Sequence, residues 1–299
     1  MQSLTERLTK PGVLIADGAI GTMLFMRGLN PGECPERINL ERSAILEEIA
    51  RLYLHAGAEI IQTNTFGGSP IKLAMYSLDN KTEEINARAV QAVRKIVRDE
   101  AHVSASCGPT GKLLEPFGDT NPEVVYEAFR RQMSVLICEG VDMICIETMT
   151  DLNEASLAVQ AARSISSSIP ICATMTFDAT PRGFYTIMGV TIEQVVKGLT
   201  KAGVDIIGSN CGNGIKNMIA ISKEFKKNTT LPVIIQSNAG MPILKDGISI
   251  YPETPKYMAE QSRELIDIDI KILGGCCGTT PAHIAAFKKN LRENSTKTH

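Results

Sequence analysis

Ala56-Gly57-Ala58-Glu59-Ile60, Glu139-Gly140-Val141-Asp142-Met143 and Ala202-Gly203-Val204-Asp205-Ile206 are three copies of one phrase. In each, a glycine follows an amphipathic stretch and an apolar run comes next. Glycine just past the last helical turn is a common helix stop, because it takes left-handed backbone without a Cβ penalty. A helix that stops and turns at once into a strand is the αβ half of a β/α unit. The stretch before the first copy, residues 43–58, carries Ile45, Ile49 and Leu52 at helical spacing. Residues 122–142 open on Pro122, suited to a first helical turn, and close at Gly140. Residues 83–100, 153–166, 191–205 and 214–227 read as further helices.

Working outward, short apolar runs recur at 13–19, 59–64, 102–108, 143–148, 170–177, 205–211, 231–238 and 269–276. Most are nearly continuous, as expected of parallel strands covered on both faces. Eight strand–helix units in 299 residues predict an α/β fold, a (β/α)8 TIM barrel forming a single domain over 1–299, with its motif-bearing core at about 13–287. A doubly wound open sheet is the competing architecture. Its glycine-rich phosphate loop is poorly matched, since the first candidate, DGAIGT, has glycines only at 18 and 21.

Composition narrows the function. Hydrophobic residues make up 43% and charged residues 21%, which is globular. Lys+Arg 31 against Asp+Glu 33 leaves no basic field for nucleic acid. No run nears the length of a membrane span, and MQSLTERLTK lacks the apolar segment of a signal peptide, so a cytoplasmic, non-membrane protein is expected. Eight cysteines are scattered without small-domain spacing, which argues against a disulfide framework. Cys145 and Cys172 read as small buried hydrophobes. Among the histidines, His55 reads as a helix terminus, His283 as helix surface and His102 as the start of a strand, away from any site.

In a barrel the carboxyl ends of the strands face the active site. Those ends carry Asp17, Asn64, Cys107, Glu147, Thr176, Cys211, Asn238 and the pair Cys276-Cys277. Adjacent side chains in a strand point to opposite faces, so Cys276 and Cys277 converge only if the chain leaves the strand there. Gly274, Gly275 and Gly278 give it that freedom. Three thiolates suit zinc and leave a fourth position open. Such a zinc is a weak Lewis acid but a good holder of a substrate thiolate, which points to alkyl transfer onto sulfur. The bland alternative is three buried free cysteines beside a glycine turn. No lysine ends a strand, so Schiff-base chemistry has no nucleophile.

DGAIGT, NTFGG, GPTGKLLEP, IET, MTF, GSNC, NAGMP and GGCCGTTPAHI occur here in the order seen in zinc-dependent homocysteine S-methyltransferases, from about Asp17 to Phe287. The wording most resembles the homocysteine-binding module of cobalamin-dependent methionine synthase. The resemblance implies a (β/α)8 barrel that methylates homocysteine to methionine. It implies zinc ligands Cys211, Cys276 and Cys277, the catalytic set, with Asn238 approaching the metal when the thiol is absent. Asp17 and Glu147 match acids that help bind the amino acid, and their carboxylates suit its ammonium. Backbone N–H groups of Asp17-Gly18-Ala19 are expected to take the carboxylate. Asn64, Phe66 and Thr176 complete the expected substrate-binding set.

The expected donor is methylcobalamin on a separate corrinoid protein, reached through a wide mouth with Phe66, Phe117 and Phe177 as apolar walls. The alternatives are an S-methylmethionine- or betaine-type donor, and a non-catalytic homocysteine or metal sensor of the same fold. A betaine cage wants aromatic rings, and the chain has no Trp and 5% aromatic residues.

Overall fold

The structure, a computed structural model, describes residues 2–245 and 248–295. The expected 1–299 domain also takes in residues 1, 246–247 and 296–299, which lie outside the described residues. The barrel strands are β1 Leu14–Ile15, β2 Ile60–Gln62, β3 His102–Cys107, β4 Met143–Met149, β5 Ile171–Met175, β6 Ile206–Asn210, β7 Val233–Ser237 and β8 Ile272–Gly275. Each falls within an apolar run of the sequence except β4, which runs one residue past 143–148. The outer helices are α1 Ser43–His55, α2 Thr82–Val97, α3 Pro122–Cys138, α4 Leu152–Ile165, α5 Ile192–Ala202, α6 Ile215–Asn228, α7 Pro255–Asp267 and α8 Pro281–Ser295.

All barrel pairings are parallel, and neighbours in space are neighbours in sequence, with β1 returning to β8. A bridge between Ala16 and Ile60 joins β1 to β2 and closes the barrel. The open doubly wound alternative is thereby excluded.

Strand alternation sorts the apolar residues into two bodies. Leu14, Ile60, Met143, Cys145, Cys172, Ile206, Ile234 and Ile272 point inward and form a floor, plugged by Leu4 of the helix Leu4–Thr9. The other register, including Ile15, Val103, Ile144, Ile207 and Leu273, packs against the helices. Cys145 and Cys172 are therefore buried floor residues. His102 starts β3 at the amino end, opposite the polar strand ends.

The repeated phrase has a physical explanation in two parts. Gly57, Gly140 and Gly203 all have positive φ (93°, 79° and 103°). Each donates its N–H three residues back, to Leu54, Ile137 and Thr200, and the next residue bonds five back, to Tyr53, Leu136 and Leu199. That is the Schellman closure of a helix. The acid that follows then caps the foot of the preceding strand. Glu59, Asp142 and Asp205 accept the N–H of Ile15, Val103 and Ile171. Each also pairs with a cation on a helix: Lys288, Arg94 and Arg163. A fourth copy, without glycine, ends α7. Asp269 takes φ 61°, and Asp269 and Ile270 repeat the same two bonds to Ile266 and Leu265.

Three features go beyond the sequence reading. The hairpins Asp178–Thr180 with Gly183–Tyr185 and Ile243–Lys245 with Ile248–Ile250 rise after β5 and β7. His283 is buried, not on a helix surface. Its Nδ1 faces the Thr280 N–H and hydroxyl, and its Nε2 faces the Glu253 carbonyl. None of the helices among the described residues is long and apolar enough to cross a membrane.

Asp142→Ala removes a charged acceptor from a 2.7 Å bond to the Val103 N–H and unpairs Arg94. It should cost about 1.5–3 kcal/mol in denaturant unfolding. Glu127→Ala breaks an exposed pair with Arg130 and should cost less than about 1 kcal/mol.

Candidate metal centre

The sulfur atoms of Cys211, Cys276 and Cys277 lie within 4.8 Å of one another, with Cys211 and Cys277 Sγ 3.8 Å apart. Each sulfur reaches this point because the chain leaves its strand. Cys211 follows β6 in left-handed conformation (φ 59°), and Gly212 continues it (φ 69°). Cys276 follows β8, and its N–H still bonds the Ser237 carbonyl of β7. The turn then closes through Thr279, whose N–H and hydroxyl both donate to the Cys276 carbonyl. Gly278 (φ 80°) lies under the Tyr251 ring, where a Cβ would collide with the ring carbons. The second hairpin thus delivers Tyr251, whose hydroxyl donates to the Cys277 sulfur.

The donor set fits a thiophilic dication. Without one, the three thiols support one negative charge among them. Hydrogen bonds from Cys276 and Cys277 drive Cys211 down to about 3. Its thiolate in turn pushes Cys277 up to about 11 and Cys276 well above its usual value. A bound cation removes that conflict and favours thiolate at all three. Asn238 supports the same reading. Its amide lies against Cys211, while its Oδ1 is buried with no partner in the protein.

Beside the thiols opens a cavity of about 250 Å³, walled by Gly18, Ala19, Asn64, Phe66 and Glu147 from the expected substrate set. Glu147 sits at its floor, buried, with Oε1 accepting from the Ser106 hydroxyl and from Gln62 Nε2 at 3.1 Å. Its Oε2 accepts from Asn210 Nδ2 at 3.2 Å. Burial pushes its carboxyl up to about 7, so a substrate ammonium would complete its ionisation.

Asn210 is the residue that sequence reasoning missed. From the end of β6 its Nδ2 reaches Glu147, the Thr148 hydroxyl (2.8 Å) and Cys276 Sγ (3.9 Å). Its Oδ1 accepts from the Thr148 N–H and the Thr174 hydroxyl, holding Thr148 at φ 60°. One amide ties the acidic floor to the thiol cluster. Its only sequence signal was its place beside Cys211.

Other expected residues stand elsewhere. Asp17 continues the outward register of Ile15. It is fully buried, with Oδ2 bonded to the Gln62 N–H at 2.8 Å and Oδ1 unpartnered. It borders a void of about 10 Å³ against Leu46, Ile49 and Ala50 of α1, separate from the main cavity. Of the N–H groups in 17–19, Asp17 bonds Ile60 and Ala19 bonds Thr279 Oγ1, leaving that of Gly18. Thr176 bonds the Asn210 carbonyl from outside the cavity wall. Cys107 is buried in the core. The expected phenylalanine walls reduce to Phe66. Phe177 is fully buried edge-on against Phe225, and Phe117 is 76% exposed and off the cavity wall.

Residues 14–291 match the homocysteine S-methyltransferase family. The chain belongs to that family. Its three-cysteine centre is capable of binding a metal such as zinc. The chain is 31% identical to methionine synthase of Mycobacterium leprae (strain TN) over 303 residues, 95% of this chain and 24% of that protein. It is 30% identical to methionine synthase of Mycobacterium tuberculosis (strain ATCC 25618 / H37Rv), over 94% of this chain and 25% of that one. It therefore spans about a quarter of the length of these relatives. The metallated homocysteine methyltransferase MmuM from Escherichia coli superposes with a TM-score of 0.80 at 22% identity, covering 96% of this chain and 99% of that one. The oxidised form of MmuM gives 0.78. This likeness bears on the fold.

Cys276→Ala should lose most bound zinc by metal analysis and keep its far-UV circular dichroism, since Cys276 sits at the rim. Full zinc occupancy in that variant would exclude a three-cysteine site. A second expectation concerns Asp17, whose carboxyl burial raises from 3.8 to about 8. A raised carboxyl favours the folded state fully below about pH 4, and that stabilisation is lost as pH climbs through 8. Denaturant stability should fall between pH 5 and 8, and Asp17→Asn should flatten that slope.

Proposed function

We propose that this barrel moves a methyl group from a small sulfonium donor of the S-methylmethionine class to homocysteine, giving methionine. The observation that carries the donor choice is the charge of the cavity wall. Among the described residues it holds two carboxylates, Glu36 and Glu147, and three thiols, with no Lys, Arg or His. Such a wall recruits cations. A quaternary ammonium cage wants several rings, and Phe66 is the one ring on the wall, which favours a sulfonium over a betaine. The volume suits one amino acid with a second small molecule entering from the mouth. MmuM, a homocysteine methyltransferase 99% of whose chain superposes on this one, supports homocysteine as the acceptor and leaves the donor to the cavity.

When bound at Cys211, Cys276 and Cys277, zinc supplies a site where the homocysteine thiol ionises near neutral pH while staying nucleophilic. The protein groups do the rest. Glu147, held by Ser106, Gln62 and Asn210, takes the homocysteine ammonium. The Gly18 N–H is free for its carboxylate. Asp17 acts from behind the wall by fixing the Gln62 backbone. Ile20 and Phe66 give the wall apolar surface. The thiolate attacks the methyl carbon, a new S–C bond forms, the sulfonium S–C bond breaks, and its electron pair returns to the leaving sulfur. One anion and one cation become two neutral thioethers, a step that a dry cavity favours.

A second reading, methylcobalamin on a corrinoid protein, has its own support. Phe25 and Met26 at the end of the short helix Ile20–Phe25, with Phe117, Ile187 and Leu244, are exposed on segments that follow strand ends, apolar surface open to a protein partner.

Zinc-loaded protein given homocysteine should turn over S-methylmethionine, leave betaine untouched and demethylate methylcobalamin no faster than buffer does. Methylcobalamin turnover with an inert sulfonium would reverse the donor order. Glu147→Gln should weaken homocysteine binding about ten- to a hundredfold, the loss of one charged hydrogen bond, with zinc content unchanged.

A further inference from the structure

We infer that Glu36 is the subsite for the α-ammonium of the donor, and so selects an amino-acid sulfonium over a simple one. This rests on the sulfonium reading above. Glu36 lies on the turn Pro35–Arg37 between β1 and α1, 4% exposed yet on the cavity wall beside Pro35, Asn64 and Phe66. Its partners are all neutral. The Gly67 N–H donates to Oε1 at 2.6 Å, the Cys34 thiol faces Oε2 at 3.4 Å, and its own N–H donates as well. Gly67 is needed for this approach, since a Cβ there would lie 2.9 Å from Oε1. Three donors leave one of the roughly four acceptor positions of a carboxylate open.

No ion pair forms at Glu36 among the described residues. The charge of Lys72 is the weakest influence acting on its carboxyl, and burial, the strongest, raises its pKa. A buried carboxylate fixed by neutral donors is costly until a cation reaches it. Homocysteine brings one ammonium, and Glu147, tied through Asn210 to the thiol cluster, stands where that ammonium falls once the sulfur is at the metal centre. Glu36 stands on loops from the β1 and β2 side. The reaction needs a second molecule in the same cavity, and an S-methylmethionine-class donor carries a second ammonium. Two carboxylates on separate walls match two amino acids meeting head to head at their sulfurs.

The test compares wild type with Glu36→Gln, which can still accept the Gly67 N–H, using S-methylmethionine and trimethylsulfonium as donors. The variant should raise KM for S-methylmethionine about ten- to a hundredfold. It should raise KM for trimethylsulfonium far less, through the loss of wall charge alone, and leave homocysteine affinity and zinc content unchanged. Glu36→Asp, which keeps the charge one methylene further back, should recover part of the loss and serves if the glutamine variant folds poorly. Equal losses for both donors, or no loss for S-methylmethionine, would overturn the assignment. If wild type turns over neither sulfonium, the donor reading falls. Calorimetric binding of S-methylmethionine to zinc-loaded, homocysteine-free protein then decides Glu36: weakening by the variant sustains an amino-acid cation subsite, and equal or absent binding removes it.

Discussion

Three sulfur atoms within 4.8 Å of one another is a demand that a β-pleat cannot meet. Alternation sends Cys276 and Cys277 to opposite faces, and a cysteine in regular register at the end of β6 would not turn toward them. The structure meets the demand by ending both strands early and spending unusual backbone there. Cys211 takes a left-handed φ that only its surroundings can hold. The Thr279 closure, the Tyr251 ring over Gly278 and the Asn210 amide are those surroundings. Each comes from a different β/α unit, so the closed barrel is a precondition for the metal site.

The same closure fixes the acidic floor. Glu147 on β4 stands two strands from Asn210 on β6, with β5 between them, and its oxygens are matched by donors from β2, β3 and β6. Those donors are neutral. They hold the carboxylate in place without cancelling its charge, which leaves the ammonium of a substrate as the missing partner. A lysine or arginine in their place would hold Glu147 as firmly and would leave nothing for the substrate to supply.

Legibility in the sequence followed the range of the interaction that decides each feature. Helix stops at Gly57, Gly140 and Gly203 depend on backbone a few residues away, and they could be read directly. Strand placement followed from burial on both faces. The thiols were legible because few chemistries place cysteines at strand ends beside glycines, and the motif order supplied the rest. Asn210 and Glu36 were not legible, because their partners stand far away in sequence, as with the Asn210–Glu147 and Glu36–Gly67 bonds. Asp17 stands away from the expected wall for a different reason. Its position at a strand end suggested the cavity, but period-two alternation from Ala16 turns it outward onto α1. The acids of the repeated phrase were visible, and their work was not: capping the adjacent strand needs the barrel's own register.

The donor question reduces to how charge changes in the cavity. Three thiolates and a dication carry a net charge of minus one, and an incoming thiolate makes the centre more negative. On the proposed reading Glu147 is answered by the homocysteine ammonium, which leaves that excess and Glu36 facing the mouth. A neutral methyl donor would relieve none of it, and the proposed sulfonium amino acid would relieve both: its onium charge would be consumed by the transfer itself, and its ammonium would persist at Glu36. The products are then a neutral thioether pair with their ammonium groups still bound, so attraction that brought the reactants together is weakened where the bond formed and kept where it is needed for orientation. A wall with basic groups would have bound the substrate carboxylates more tightly and slowed the approach of the cation. The absence of such groups from the wall is thus as much a part of the chemistry as the cysteines are.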